Sequence, residues 1–292
     1  MPDTHGGNIF KFSHDHKINL SEVTDFSANI NLLGPSPKGL EALNERLRYI
    51  SHYPDVTNDD VMNTIADVYG IEKDSILLGN GAAELLYAVG RLSGFTGAFV
   101  PAPGFSEYQS SMDAANIPVR EIFYRQRQND DGTPYFEVPY LALQTFAAEL
   151  KGQDGRIIVF LGNPNNPDGT LLDKQSIKVL AQMLKDANSL LVIDESFIDF
   201  IGNESLRDNS HSMRELINQY DNVIIVHSFT KFYAVPGLRI GAVFANPTLI
   251  QELRQYIPAW SVNTLAQAYT ESALTDTKYI NDSKMVLANE AK

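Results

Sequence analysis

Short, unbroken apolar runs recur along this chain, separated by polar or amphipathic stretches. They are Ser75–Leu78 (SILL), Ala98–Val100 (AFV), Arg156–Leu161 (RIIVFL), Leu190–Ile193 (LLVI), Asn222–Val226 (NVIIV) and Ile240–Phe244 (IGAVF). Each is too short for a helix, and a continuous run rather than an alternating one predicts a strand buried on both faces. Between several of them the apolar positions fall at helical spacing, as across Lys174–Asn188. The stretch TNDDVMNTIADVYG reads as a helix capped near Thr57 or Asn58 and stopped at Gly70. Alternation of this kind predicts an α/β domain, with a mostly parallel central sheet and helices on both faces. The last two runs are joined by about a dozen residues, so parallel pairing between them is not assumed. Residues 1–37 read as an irregular arm ending in the turn signal LLGPSP, Leu32–Pro37. Residues 38–258 form the main domain of this reading, and residues 259–292 a further C-terminal segment.

Composition narrows the classes of function. With 292 residues, 43% of them hydrophobic and 20% charged, the chain can bury a core of ordinary size. No apolar stretch is long enough to span a bilayer, and the opening MPDTHGGNIFKF carries no apolar signal core. There are no cysteines, which removes disulfides, thiolate zinc sites and thiol catalysis and fits a reducing cytoplasm. A net charge of −13 with no basic stripe opposes nucleic-acid binding. A small anion remains a possible ligand where a few local donors outweigh that field. His14-Asp15-His16 offers two histidines to a metal, but no matching ligand set accompanies them, and a solvated loop reading is preferred.

In open α/β sheets, ligands bind beyond the carboxyl ends of the strands. Here those ends carry Gly79-Asn80-Gly81, PGFSEY with Tyr108, GNPNNPDG with Asn166, Asp194-Glu195, and Ser228 with Lys231. A lysine among apolar and cationic neighbours has its amine pKa lowered and can attack a carbonyl to form a Schiff base. Arg239 is the nearby cation. A protonated pyridine nitrogen needs a buried anion, which Asp194 can supply. Asn166 offers an amide to a phenolate oxygen, and Tyr108 offers a ring face for stacking. Gly81-Ala82-Ala83 at a helix start, Ser228 and Arg239 suit a phosphate. Together these groups describe a site for pyridoxal 5′-phosphate (PLP). Singly, each has a plainer reading. GNG and NPNNPDG are also ordinary turns, Asp194-Glu195 is equally a helix cap or metal ligand, and Tyr108 could be core.

NPNNPDG, VIDESFIDF and SFTKFYAVPGLRIG resemble, in that order, the signature blocks of fold-type I PLP enzymes of the class I/II aminotransferase group. The resemblance spans His5 to about Gln267. It implies a PLP-dependent transferase-like fold, Lys231 as the residue carrying the cofactor, and Asp194, Asn166, Ser228, Arg239 and Tyr108 in the roles above. It also implies a homodimer with shared active sites, in which Tyr53 of HYPD reaches the cofactor phosphate of the partner subunit. HGGNIF, DFSANINLLG, DESFIDF and PAWSVNTLAQ are similar to the threonine-phosphate decarboxylase branch. The implied reaction is loss of CO2 from L-threonine O-3-phosphate to give (R)-1-aminopropan-2-yl phosphate for cobalamin biosynthesis. His5, Gly6, Asn29 and Asn166 would then contact this small phosphorylated amino acid.

The neighbouring branch, the histidinol-phosphate aminotransferases, usually carries tyrosine where this chain has Phe197. Family members bear substrate-clamping arginines in a small domain beyond the last residues of this sequence. An incomplete small domain is therefore expected, starting within 259–292 and joined by the arm. Three readings stay open here: decarboxylase, aminotransferase, or a non-catalytic PLP-binding remnant.

Overall fold

A computed structural model describes residues 6–150, 155–202 and 205–290. Its centre is a seven-stranded sheet. The strands are β1 (Ile76–Gly79), β2 (Phe95–Ala102), β3 (Val119–Phe123), β6 (Arg156–Gly162), β7 (Leu190–Asp194), β8 (Val223–Ser228) and β9 (Gly241–Ala245). They lie side by side in the order β1-β9-β8-β7-β6-β2-β3. Neighbours from β3 to β8 pair in parallel, while β9 runs antiparallel to both β8 and β1. All six apolar runs are strands, and the two joined by the short connection are antiparallel, as so short a link requires.

The unbroken apolar runs have a direct structural cause. Alternate residues of each central strand point to opposite faces, and each face has its own core. Val159, Leu161, Leu191, Ile193 and Ile225 pack on one side; Ile158, Phe160, Leu190, Val192 and Ile224 pack on the other. The first face is covered by α3 (Asp59–Tyr69), α6 (Tyr140–Leu150), α7 (Lys174–Asp186), α10 (Thr264–Leu274) and α11 (Thr277–Glu290). The second is covered by α4 (Gly81–Gly90), α5 (Ser106–Ala114) and α9 (Pro247–Arg254). A helix of four residues, α8 (Phe229–Phe232), follows β8 directly. Two further helices, α1 (Ile9–His16) and α2 (Pro37–Arg46), belong to the N-terminal part. Helix α10 packs along α2 and α3, so the stretch after Trp260 is laid against earlier parts of the chain.

The structure departs from the sequence reading in two places, the arm and the strands β3 to β5, and refines it at the α3 cap. The arm is not irregular throughout: Asn8 accepts a hydrogen bond from the Lys11 amide and starts α1, none of whose residues is buried. A helix without a buried stripe leaves little periodic trace. Strand β3 and the hairpin of β4 (Arg125–Gln128) with β5 (Pro134–Glu137) are additional. They are largely exposed, so their residues lack the apolar run that marks the central strands. Asn58 holds the N-cap position of α3, but in a left-handed conformation and without a capping bond from its side chain. Asp55 and Thr57 instead accept from the Asp59 amide. Gly70 ends that helix at φ +66°, as expected.

Candidate active site

The parallel strands point their carboxyl ends to one edge of the sheet, and the residues that follow them enclose a cavity of about 630 Å³. Asn166, Asp194, Ser228, Lys231, Arg239 and Tyr108 all line it, together with Ala82 and Ala83. From the arm come Gly6 and Asn29. His5 lies outside the described residues. Tyr53 is not in this cavity; it is 79% exposed and stacks on Trp260 at 4.6 Å between ring centroids.

Lys231 stands on α8, one turn past the end of β8. Ser228 caps this turn and its Oγ lies 2.7 Å from the Thr230 hydroxyl. Burial lowers the Lys231 pKa most, the charge of Arg239 lowers it further, and Asp194 opposes both. The net direction favours a neutral, nucleophilic amine. Arg239 reaches the cavity from a left-handed residue at the end of the short link to β9. Its guanidinium lies against Gly81, the first residue of α4, whose φ is +80°. A Cβ there would sit 2.3 Å from Nη2 of Arg239. The first turn of α4 leaves its N–H groups without helical partners, so arginine and helix start together offer donors that could hold an anion. Glu84 of the same helix accepts from the Asn80 amide at 2.6 Å and from the Ser261 hydroxyl, which fixes the turn's entry.

Asp194 ends β7 and is buried. Its Oδ1 accepts from the Ser196 amide at 2.8 Å and its Oδ2 from the Tyr108 hydroxyl at 2.9 Å. The Tyr108 ring stacks on Phe160 at 5.3 Å. Beside it, Glu195 is fully buried and accepts from Asn163 Nδ2, the Met213 amide and the Ser212 hydroxyl. Glu195 thus ties loops together and does not face the cavity. In NPNNPDG the other amides are also spent on structure. Asn163 bridges to Glu195 and the Leu172 amide, and Asn165 binds Pro103 O and Asp168. Asn166 is the asparagine of this loop that lines the cavity.

The sequence reading missed Thr230, Ser196, Ser27 and Phe105, which also line the cavity. Thr230 had a legible signal, since SFTK places two hydroxyls two residues apart before the lysine. Phe105 carried the same strand-end signal as Tyr108, in PGFSEY three residues past β2, while Ser27 had none, because loop path alone brings it in. Among the described residues no cluster of three or more metal-ligating side chains occurs, and no helix is long and apolar enough to cross a membrane.

Comparison with known proteins decides the family. The aminotransferase class I and II model matches residues 21–291. The chain belongs to this family of PLP-dependent enzymes. It is similar to the adenosylcobalamin biosynthesis bifunctional protein CobDQ of Leptospira interrogans, 36% identical over 96% of this chain and 30% of that protein. It is also similar to the threonine-phosphate decarboxylase of Salmonella typhimurium, 32% identical over 94% of this chain and 71% of that protein. The chain thus spans under a third of the first relative's length and about 70% of the second's. Among solved structures, the histidinol-phosphate aminotransferase of Clostridium acetobutylicum superposes with a TM-score of 0.76. It is 26% identical, with 90% of this chain and 73% of that one covered. The Sinorhizobium meliloti enzyme, solved in complex with PLP, shares the fold with a TM-score of 0.74 at 23% identity. That match covers 90% of this chain and 67% of that one.

The residues present fit PLP. A depressed-pKa lysine, a buried carboxylate and Arg239 line one cavity with Ala82 and Ala83, and Gly81, which lies outside the lining, packs against that arginine where a Cβ would clash.

Proposed function

We propose that this chain decarboxylates L-threonine O-3-phosphate, as part of a cytoplasmic homodimer. The observation that carries this reading is the arrangement of Gly6, Asn29 and Phe197 around the cavity that holds Lys231. Lys231 would carry PLP. Asp194 would face its ring nitrogen, and Arg239, Ser228 and the start of α4 would hold its phosphate. PLP supplies an electron sink when a bond to the substrate's Cα breaks. Asn166 would orient the ring through its phenolate oxygen, and Tyr108 would pack beside it. Phe197 brings no hydroxyl toward that oxygen. Lys231 Nζ would hold a proton for return to Cα. The arm, through Gly6, Asn29 and His5, would fix the substrate's phosphate end. Whether the carboxylate or the Cα hydrogen is broken off depends on this anchoring, a placement of roughly 1 Å.

Similarity to decarboxylases at 32% identity supports this choice, while similarity to a histidinol-phosphate aminotransferase supports transamination as the second reading. The exposed Tyr53–Trp260 pair supports the dimer, with Tyr53 reaching the partner subunit's site. The test combines borohydride trapping with a product assay on the same sample. Expected are a PLP adduct mapped to Lys231, its loss in Lys231→Ala, and CO2 release from O-phosphothreonine without amino transfer. Glutamate-dependent exchange with a keto acid would instead establish the aminotransferase. An adduct with neither activity would leave only cofactor binding.

A further inference from the structure

The lysine turn is held from behind by Asn31, a residue outside the cavity lining. Asn31 is 4% exposed. Its backbone N–H donates to the Lys231 carbonyl at 3.1 Å. Its side-chain Nδ2 lies 2.8 Å from the Phe232 carbonyl, 2.8 Å from Ser283 Oγ and 3.1 Å from the Tyr279 hydroxyl. An amide has two protons, and the two shorter contacts take them. The Tyr279 hydroxyl in turn lies within donating distance of the Phe232 carbonyl, at 2.9 Å, and of the Gly34 carbonyl, at 2.8 Å. Asn31 Oδ1 accepts from the Leu33 amide at 3.1 Å, so every polar group of this side chain is used.

A four-residue helix cannot hold itself, because nucleating one turn is unfavourable and its last carbonyls lack partners within the helix. The Lys231 carbonyl accepts from Asn31 as well as from the Ala234 amide, and the Phe232 carbonyl accepts from the Asn31 side chain; Ser283 of α11 holds Asn31, while Tyr279 of the same helix reaches the Phe232 carbonyl itself. We propose that Asn31 is a positioning residue for Lys231, and that Tyr279 and Ser283 make α11 part of the device that sets how the lysine stands in the cavity. This rests on the reading of Lys231 as the cofactor-bearing residue.

The test uses the full chain and four variants. Asn31→Asp keeps size but removes both side-chain donors. Ser283→Ala loosens the hold on Asn31 without touching the lysine turn, and Tyr279→Phe removes the bond of α11 to the Phe232 carbonyl. Ser189→Ala is the control, since it breaks a buried bond, Ile157 amide to Ser189 Oγ at 3.1 Å, at the opposite end of the strands from the lysine. In Asn31→Asp the dissociation constant for PLP should rise about tenfold, the equivalent of one buried hydrogen bond. The pH midpoint of the lysine–cofactor absorbance should move by about half a unit or more. Amide exchange across residues 229–235, measured without cofactor, should quicken. Ser283→Ala and Tyr279→Phe should shift the same readouts in the same direction by less, and Ser189→Ala should lower urea stability alone. Loss of stability with cofactor affinity, pH midpoint and local exchange all unchanged would overturn the proposal. Should Asn31→Asp not fold, Ser283→Ala and Tyr279→Phe decide the question by the same readouts. A wild-type chain that forms no PLP adduct would overturn the cofactor reading, and the exchange measurement would still judge the clasp.

Discussion

Replacing Gly81 with alanine separates the cost of a strained backbone from the cost of displacing Arg239 from its proposed place on the cofactor phosphate. The native φ of +80° is one an L-residue adopts at a penalty of about 1–2 kcal/mol. The new methyl would also stand 2.3 Å from Nη2 and 2.9 Å from Cζ of Arg239, distances no real contact tolerates. The arginine tip is flexible and can swing away, so the steric part is relieved by moving Arg239 rather than by unfolding. Losing its charge-assisted bond to a phosphate is worth about 1.5–3 kcal/mol, or roughly 10- to 100-fold in PLP affinity. Gly132→Ala in the β4–β5 turn is the matched control, since its φ is +85° and a Cβ there meets nothing within 4 Å. Urea unfolding should show similar losses for both variants, and a fluorescence titration should show weakened PLP binding only for Gly81→Ala. Equal PLP affinity in the two variants would refute the proposed place of Arg239 on the cofactor phosphate.

Two further outcomes follow from charged groups. Burial pushes the Asp199 carboxyl up, but His227, Tyr69 and Arg214 more than offset this and hold it below the ordinary value. Its stabilising contribution is therefore full above the unfolded pKa, near 3.9, and is lost as pH falls through the lower folded value. Asp199→Asn should cost about 3 kcal/mol at pH 7 by urea unfolding, with the gap to wild type narrowing below about pH 4. Arg239→Gln removes the second cause of the depressed Lys231 pKa. Its amine should then lose its proton only at higher pH, so the pH profile of reductive methylation mapped to Lys231 should move upward.

Much of this molecule was legible because the central strands are buried on both sides. Val159, Phe160 and Ile193 each meet a core, and only an apolar residue fits there. The site was legible for a related reason. Asp194, Ser228 and Lys231 follow strand ends directly, so their place in the sheet fixes their place in the cavity. Ser27 reaches it through a loop whose course no local pattern encodes. Helix α1 was illegible because it buries nothing. Asn31 was illegible because its partners, Phe232 and Ser283, lie some 200 and 250 positions away.

Strand β1 has a single partner in the sheet, β9, and the pairing joins Ile76 to Phe244. On a ribosome, the earlier segment therefore emerges with an open hydrogen-bonding edge and waits for its mate for roughly ten to thirty seconds of synthesis. The nascent chain must shield four apolar or glycine residues through that interval. Chaperone demand and aggregation during expression should accordingly concentrate on the N-terminal third, however stable the finished enzyme is.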